Sequence, residues 1–251
     1  MMIAKYSASG NDFVLFHSFI KKDRSELART LCDRQNGIGA DGLIVLLPHN
    51  EYDFEWQFYN SDGSIAEMCG NGSRACAHYA YTHGLAPANM TFLTLAGEIK
   101  AQVDGTMVQS DLTPPKIINQ NIEAGGKQWW LIDTGVPHLI TFDADMDYFD
   151  LAEARALRER YNANVNIAST QADGSIRVRT YERGVEDETL ACGTGMAAAF
   201  YRANQESTIG MHAEVFPKSG ETLYLGLNSK TITFKGEVVE TFETSWNREI
   251  L

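Results

Sequence analysis

Cys69-Gly70-Asn71-Gly72 and Cys192-Gly193-Thr194-Gly195 are two versions of one phrase, separated by about half of the 251-residue chain. Each opens a run of small and apolar residues, Ala75-Cys76-Ala77 in one and Met196-Ala197-Ala198-Ala199-Phe200 in the other. A helix that is apolar nearly all round has to be buried, and alanine lets strands approach it closely. The phrase therefore predicts a duplicated scaffold in which each half carries a buried helix. A cysteine at such a helix start sits beside unpaired backbone N–H groups and the positive end of the helix dipole, where a thiol most easily becomes a thiolate.

Charge and cysteine usage narrow the chemistry. A formal net charge of −12 argues against nucleic acid, whose phosphates need a basic face. No apolar run reaches the ~20 residues of a membrane-spanning helix, and the N-terminus lacks a signal-peptide pattern, so a cytoplasmic protein is expected. That compartment keeps the four cysteines reduced. No CxxC pair and no histidine pair stands at zinc-ligand spacing, so no metal site is expected.

Periodicity places the elements. Strands are expected at Phe13–Phe16, at Leu43–Leu47 and over the alternating Phe54, Trp56 and Phe58. Helices are expected at Ser25–Arg34 and Asn71–His83, then short strands from Met90 to Leu112 with an Asp104-Gly105 hairpin turn. After Pro114-Pro115 the order repeats: strands at Trp129–Asp133 and His138–Phe142, a helix at Leu151–Tyr161, and strands at Val165–Ala168 and Ile176–Tyr181. A helix at Thr194–Asn204 and strands to the end complete it. The expected class is α+β, with two similar strand-rich domains, each carrying a buried helix; two helices packed on open sheets are the alternative. Pro114-Pro115 is the expected linker between a half carrying Cys69 and a half carrying Cys192.

Gly37-Ile38-Gly39-Ala40-Asp41-Gly42 matches the dinucleotide fingerprint GxGxxG, but that motif must follow a strand and open a helix. Here it follows a helix and precedes a strand, so it reads as a loop. The two thiols carry the sharper chemistry. Racemisation needs one group to take a proton from carbon and another to deliver one to the opposite face; a thiolate and a thiol on opposite sides of a substrate do both. The amides of Gly70, Asn71, Gly193 and Thr194 could hold the substrate carboxylate as carbanion charge develops beside it. Cys32 and Cys76, on apolar helical faces, read as packing residues.

Several further motifs stand around these two. They are Asn11-Asp12-Phe13 after a glycine, Asn60-Ser61-Asp62-Gly63-Ser64 leading to Cys69-Gly70-Asn71-Gly72-Ser73-Arg74, and Glu182-Arg183-Gly184 leading to Glu188-Thr189-Leu190-Ala191-Cys192-Gly193-Thr194-Gly195. Together they resemble the diaminopimelate epimerase family nearly end to end. The resemblance implies two pseudo-symmetric domains, residues 1–115 plus 237–251 carrying Cys69 and 116–236 carrying Cys192, each a mainly antiparallel sheet or barrel wrapped around a central helix. It implies a homodimer and a two-thiol interconversion of LL- and meso-diaminopimelate without a cofactor, serving lysine and cell-wall synthesis. It implies that Cys69 and Cys192 are the acid–base pair and that Asn11, Asn60, Gly70, Asn71, Asn166, Glu182, Arg183, Gly193 and Thr194 contact substrate. It also implies that His138 tunes the thiols and that 236–246 returns to the first domain, with Phe242 near the dimer interface. Gly42 stands where the family commonly has Gln, and Val136 where it has Asn. An Arg183 fork suits a distal carboxylate.

Two other functions compete. A two-thiol racemase of the proline or hydroxyproline type would have no distal carboxylate for Arg183. A redox-switch protein joining Cys69 to Cys192 would need neither Asn11 nor Arg183. An isomerase of the same architecture without the cysteine pair is opposed by Cys69 and Cys192 themselves.

Overall fold

The computed structural model describes residues 1–143 and 145–247, so residues 248–251 of the expected first half lie outside it. Contacts divide the chain into two units. One is Met1–Ser110 together with the chain from Gly236 onward, and the other is Asp111–Lys235.

In the first unit, strand β1 (Met2–Ala8) turns directly into β2 (Asn11–His17). The two central turn residues, Ser9 and Gly10, both have left-handed backbone, with φ of 59° and 76°. That is the geometry of a tight hairpin whose twist matches its strands, and it sets Ala8 opposite Asn11. Helix α1 (Ser25–Cys32) follows, then β3 (Gly42–Leu47) parallel to β2, and β4 (Phe54–Asn60) antiparallel to β3. Helix α2 (Gly70–Thr82) leads to β5 (Asn89–Thr94), β6 (Gly97–Asp104) and β7 (Met107–Asp111) in antiparallel succession.

Every residue of β3 is buried, because both faces of this sheet are covered. Ile44 and Leu46 join the core around Ala75, Cys76, Ala77 and Ala80 of α2. Leu43, Val45 and Leu47 join a second core with Ala28, Leu31 and Cys32 of α1. A one-residue register slip would exchange the two sets, so the parallel Phe13–Gly42 pairing is held from both sides. Of the segment read as GxGxxG, residues 37–41 form a loop between α1 and β3, and Gly42 opens β3.

The second unit opens with β8 (Lys116–Ala124), β9 (Lys127–Asp133) and β10 (Pro137–Phe142), paired antiparallel. Helix α3 (Leu151–Tyr161) connects β10 to β11 (Asn164–Thr170), which lies parallel to β10 with His138 opposite Asn164. Strand β12 (Ile176–Glu182) pairs antiparallel with β11, setting Thr180 opposite Asn166, and with the short β13 (Asp187–Thr189). Helix α4 (Gly193–Gln205) is buried through Met196–Phe200. Strands β14 (His212–Phe216), β15 (Leu223–Asn228) and β16 (Thr231–Glu237) complete this run, and β17 (Val239–Ser245) then pairs antiparallel with β1 in the first unit.

Candidate active site

Cys69 is the N-cap of α2, with extended backbone, and its sulfur accepts from the N–H of Gly72 at 3.4 Å. Gly72 carries no side chain for a packing reason as well: a Cβ there would stand 3.2 Å from Ile44 Cδ1 and 3.3 Å from Cys69 Cβ. Asn11 comes from the start of β2, and its Oδ1 lies 3.6 Å from Cys69 Sγ. A carbonyl oxygen only accepts, so in this contact the thiol donates. The amide is held in that sense because Asn11 Nδ2 donates to Asp41 Oδ2 at 2.6 Å.

Asp41 belongs to the loop read as GxGxxG, and it is braced in turn. Arg34 reaches Asp41 at 2.8 Å and Asp12 at 2.8 Å, while Lys5 pairs with Asp12 at 2.7 Å and also donates to Gly39 O. Burial alone would raise the Asp12 carboxyl, but Arg34 and Lys5 outweigh it and hold the group well below the usual carboxylate range. Asn71 is 3% exposed and accepts from Arg74, which also donates to Ser9 Oγ at 2.7 Å and to Glu237 O at 3.1 Å. One buried guanidinium thus ties the first turn of α2 to the Ser9-Gly10 hairpin. Asn60, at the exposed end of β4, donates to Ser64 Oγ at 3.0 Å, and Gly70 is buried in the first turn of α2.

Gly42 has no space for a side chain. A Cβ there would come within 2.6 Å of Phe58 Cε2 and 2.8 Å of Tyr59 O. The missing glutamine therefore reflects a strand packed directly against its neighbour.

Cys192 is the N-cap of α4, 8% exposed, with its sulfur 3.5 Å from Thr194 Oγ1. Thr194 Oγ1 lies 2.9 Å from His138 Nε2, and Thr134 Oγ1 donates to Thr194 O at 2.9 Å. Gly193 is buried at the helix start. His138 is fully enclosed; burial, with a smaller contribution from the nearby Arg183 charge, lowers its pKa to about 3. The ring is neutral across the physiological range.

Asn166 is expected to touch substrate, yet it has no exposed surface. Its Nδ2 faces His138 Nδ1 at 3.1 Å and Leu139 O at 3.2 Å, and its Oδ1 accepts from Thr180 at 2.8 Å. Asn164, which the motifs did not single out, accepts from the backbone N–H of Arg183 at 2.8 Å and so fixes where that side chain begins. Arg183 spends one nitrogen on the carbonyl of Asn162, the left-handed residue that ends α3, at 2.9 Å. Glu182 closes β12 and is half-buried. Val136, at the place of the missing asparagine, is half-buried just ahead of β10.

Burial is nearly complete at the remaining cysteines, Cys32 and Cys76, which are 2% and 0% exposed. It pushes the Cys32 thiol up to about 12 and the Cys76 thiol well above its ordinary value. Among the described residues no group of three or more His, Cys, Asp or Glu side chains is arranged to hold a metal ion, and no helix is long and apolar enough to cross a membrane.

The chain is similar to known proteins over nearly its whole length. A family model described as diaminopimelate epimerase matches residues 3–118 and 130–235. A diaminopimelate epimerase from a Nitratiruptor species is 63% identical over 97% of this chain and 98% of its own length. One from Campylobacter lari is 53% identical over 98% of this chain and 99% of its own. Among solved structures, a probable proline racemase from Agrobacterium radiobacter has a TM-score of 0.79 at 14% identity, covering 99% of this chain and 93% of that one, a likeness of fold alone. With the family model spanning both units and relatives this similar over nearly the whole length, the chain belongs to the diaminopimelate epimerase family.

Proposed function

We propose that this protein interconverts LL- and meso-diaminopimelate by moving one α-proton through two thiols, with no cofactor. The observation that carries the reading is the pairing of family membership with two cysteines that each occupy the N-cap position of a buried helix, Cys69 with a capping bond from the Gly72 N–H and Cys192 without one. At such a position the backbone N–H groups and the helix dipole favour the thiolate. One of Cys69 and Cys192 removes the proton as thiolate, the other delivers a proton as thiol, and the reverse reaction exchanges the roles.

Carbanion charge formed at the α-carbon spreads into its carboxylate. The first-turn amides of α2 and α4, from Gly70, Asn71, Gly193 and Thr194, supply donors for that charge. Arg183 pairs with the distal carboxylate through the edge of its guanidinium not committed to Asn162. Glu182 accepts from a substrate ammonium, while Asn11 and Asn60 orient without adding charge. His138, neutral and buried, tunes Cys192 through Thr194. The reading includes a homodimer acting in the cytoplasm, with Phe242, exposed on β17, near the contact between copies.

The test is incubation of LL-diaminopimelate with purified reduced protein in D2O, followed by proton NMR. Loss of one α-proton signal, deuterium incorporation and appearance of the meso form are expected without any addition. No exchange under reducing conditions would sink the assignment.

A further inference from the structure

Around the start of α4 lies more buried polar structure than holding a carboxylate requires. Thr180 Oγ1 stands 2.8 Å from Asn166 Oδ1, and Asn166 Nδ2 stands 3.1 Å from His138 Nδ1. His138 Nε2 is 2.9 Å from Thr194 Oγ1, which is 3.5 Å from Cys192 Sγ. Asn166 and His138 have no exposed surface and Thr180 has 3%. In such an enclosed chain an unsatisfied member is costly, so its protons have to run in a consistent direction.

That direction is fixed at Leu139. Its backbone oxygen lies 3.2 Å from Asn166 Nδ2, and a backbone oxygen only accepts. Turning the amide over would set oxygen against oxygen. Asn164 O, at 3.5 Å, is the more distant alternative, so the second proton on Nδ2 goes to His138 Nδ1 at 3.1 Å, and a ring nitrogen that close to an amide nitrogen has to be the bare one. A neutral imidazole then carries its proton on Nε2 and donates it to Thr194 Oγ1. Having accepted there, the hydroxyl has its single proton left for the sulfur. One contact pulls the other way: Asn164 Nδ2 stands 3.5 Å from His138 Nε2. It is the longer contact, and Asn164 Nδ2 has an acceptor in Pro137 O at 3.3 Å.

We propose that Thr180 and Asn166 are positioning residues for Cys192: they hold His138 as the Nε2–H tautomer, so that Thr194 donates its hydroxyl proton to the Cys192 sulfur. The relay is uncharged throughout, and donation to sulfur favours the thiolate over the thiol. It also gives Gly195 a reason. A Cβ there would run into Asn166 Oδ1 and stand 3.1 Å from Thr180 Oγ1 and 3.3 Å from His138 Cε1.

The proposal rests on the epimerase reading for its purpose, but its test does not need turnover. In 15N-histidine NMR of the intact protein, His138 is expected as the neutral Nε2–H form across neutral pH. An Nδ1–H form, or an imidazolium, would overturn the relay. The second measurement is the pH dependence of Cys192 alkylation by iodoacetamide, read peptide by peptide by mass spectrometry. Thr180→Val keeps shape and removes the donor to Asn166; its alkylation midpoint is expected to rise by about one pH unit, a roughly tenfold loss of thiolate below the midpoint. Thr180→Ser is expected to restore it. A folded Thr180→Val protein with an unmoved midpoint would refute the role of Thr180, and if that variant does not fold, the histidine spectrum of the unaltered protein decides. A protein that shows both signatures yet exchanges no α-proton of diaminopimelate would keep the relay and lose the epimerase reading.

Discussion

The starts of α2 and α4 share a sequence phrase and differ in what faces the sulfur. Cys69 meets a carbonyl oxygen, Asn11 Oδ1, whose orientation is imposed by the carboxylate of Asp41. Cys192 meets a hydroxyl, Thr194 Oγ1, at the end of a chain of enclosed neutral groups. The Cys69 surroundings are ionic and half-open: the side chains of Arg34 and Asp41 are 59% and 44% exposed. An acceptor favours the protonated sulfur and a donor favours the bare one. The Gly72 N–H also donates to the Cys69 sulfur at 3.4 Å, so the contrast lies in the side chains: Asn11 pulls Cys69 toward the thiol, against its helix start, and Thr194 pulls Cys192 toward the thiolate, along with its own.

The largest expected effects come from removing either sulfur. Cys69→Ala and Cys192→Ala should each lower the epimerisation rate by about 10³-fold or more, the scale of a lost general acid or base. Turnover within tenfold of the parent in either variant would mean that the two helix starts do not divide the proton transfer between them.

A methyl group tests the next difference. Gly195→Ala drives a Cβ into Asn166 Oδ1 within an enclosed network, whereas Gly72→Ala meets the flexible tip of Ile44 at 3.2 Å. The first change should cost about 1–3 kcal/mol of stability and the second under about 1 kcal/mol. Urea unfolding of both variants measures this, and equal losses would show that the two helix starts are packed alike.

The fold was legible wherever periodicity and burial coincide. The wholly buried β3, the alternating β4 and the alanine-rich α2 and α4 all lie at their expected places. Strand β8 was not, because six of its nine residues are exposed in a pattern without alternation, and its register shifts twice against β9. Strand β1 is apolar enough, but nothing in its sequence announces the Ser9-Gly10 turn, whose left-handed serine is held by Arg74. The motifs led to the cysteines, His138 and Arg183. They did not lead to Thr180, Asn164 or Asp41, whose importance depends on cross-strand register and on a loop folding back, neither of which leaves a local pattern.

Acid should separate the neutral network from the ionic one. His138 has its pKa lowered to about 3 by burial, against about 6.5 in an unfolded chain. Between those values the unfolded chain binds a proton that the folded protein refuses, so stability falls as pH drops below the unfolded value. The contribution is absent above it, and the slope is about 1.4 kcal/mol per pH unit for one such group. His138→Gln, which cannot titrate, should flatten the change in urea midpoint between about pH 7 and pH 5. An unchanged slope would mean that His138 is charged in the folded state.

The smallest expected effect is the most discriminating. In Asp41→Asn the side chain facing Asn11 gains a donor, so the Asn11 amide can turn over and present Nδ2 to Cys69 in place of Oδ1. Losing the acceptor and losing a nearby negative charge both favour the thiolate, so the alkylation midpoint of Cys69 should fall, by about one pH unit or less. That is opposite in sign to the rise expected at Cys192 in Thr180→Val. Both shifts are read on the same peptides in the same experiment, and each variant leaves the other unit's cysteine unaltered as an internal standard. A midpoint that rises in Asp41→Asn would mean that Asn11 is not held by Asp41, and the contrast between the two sulfurs would then rest on Cys192 alone.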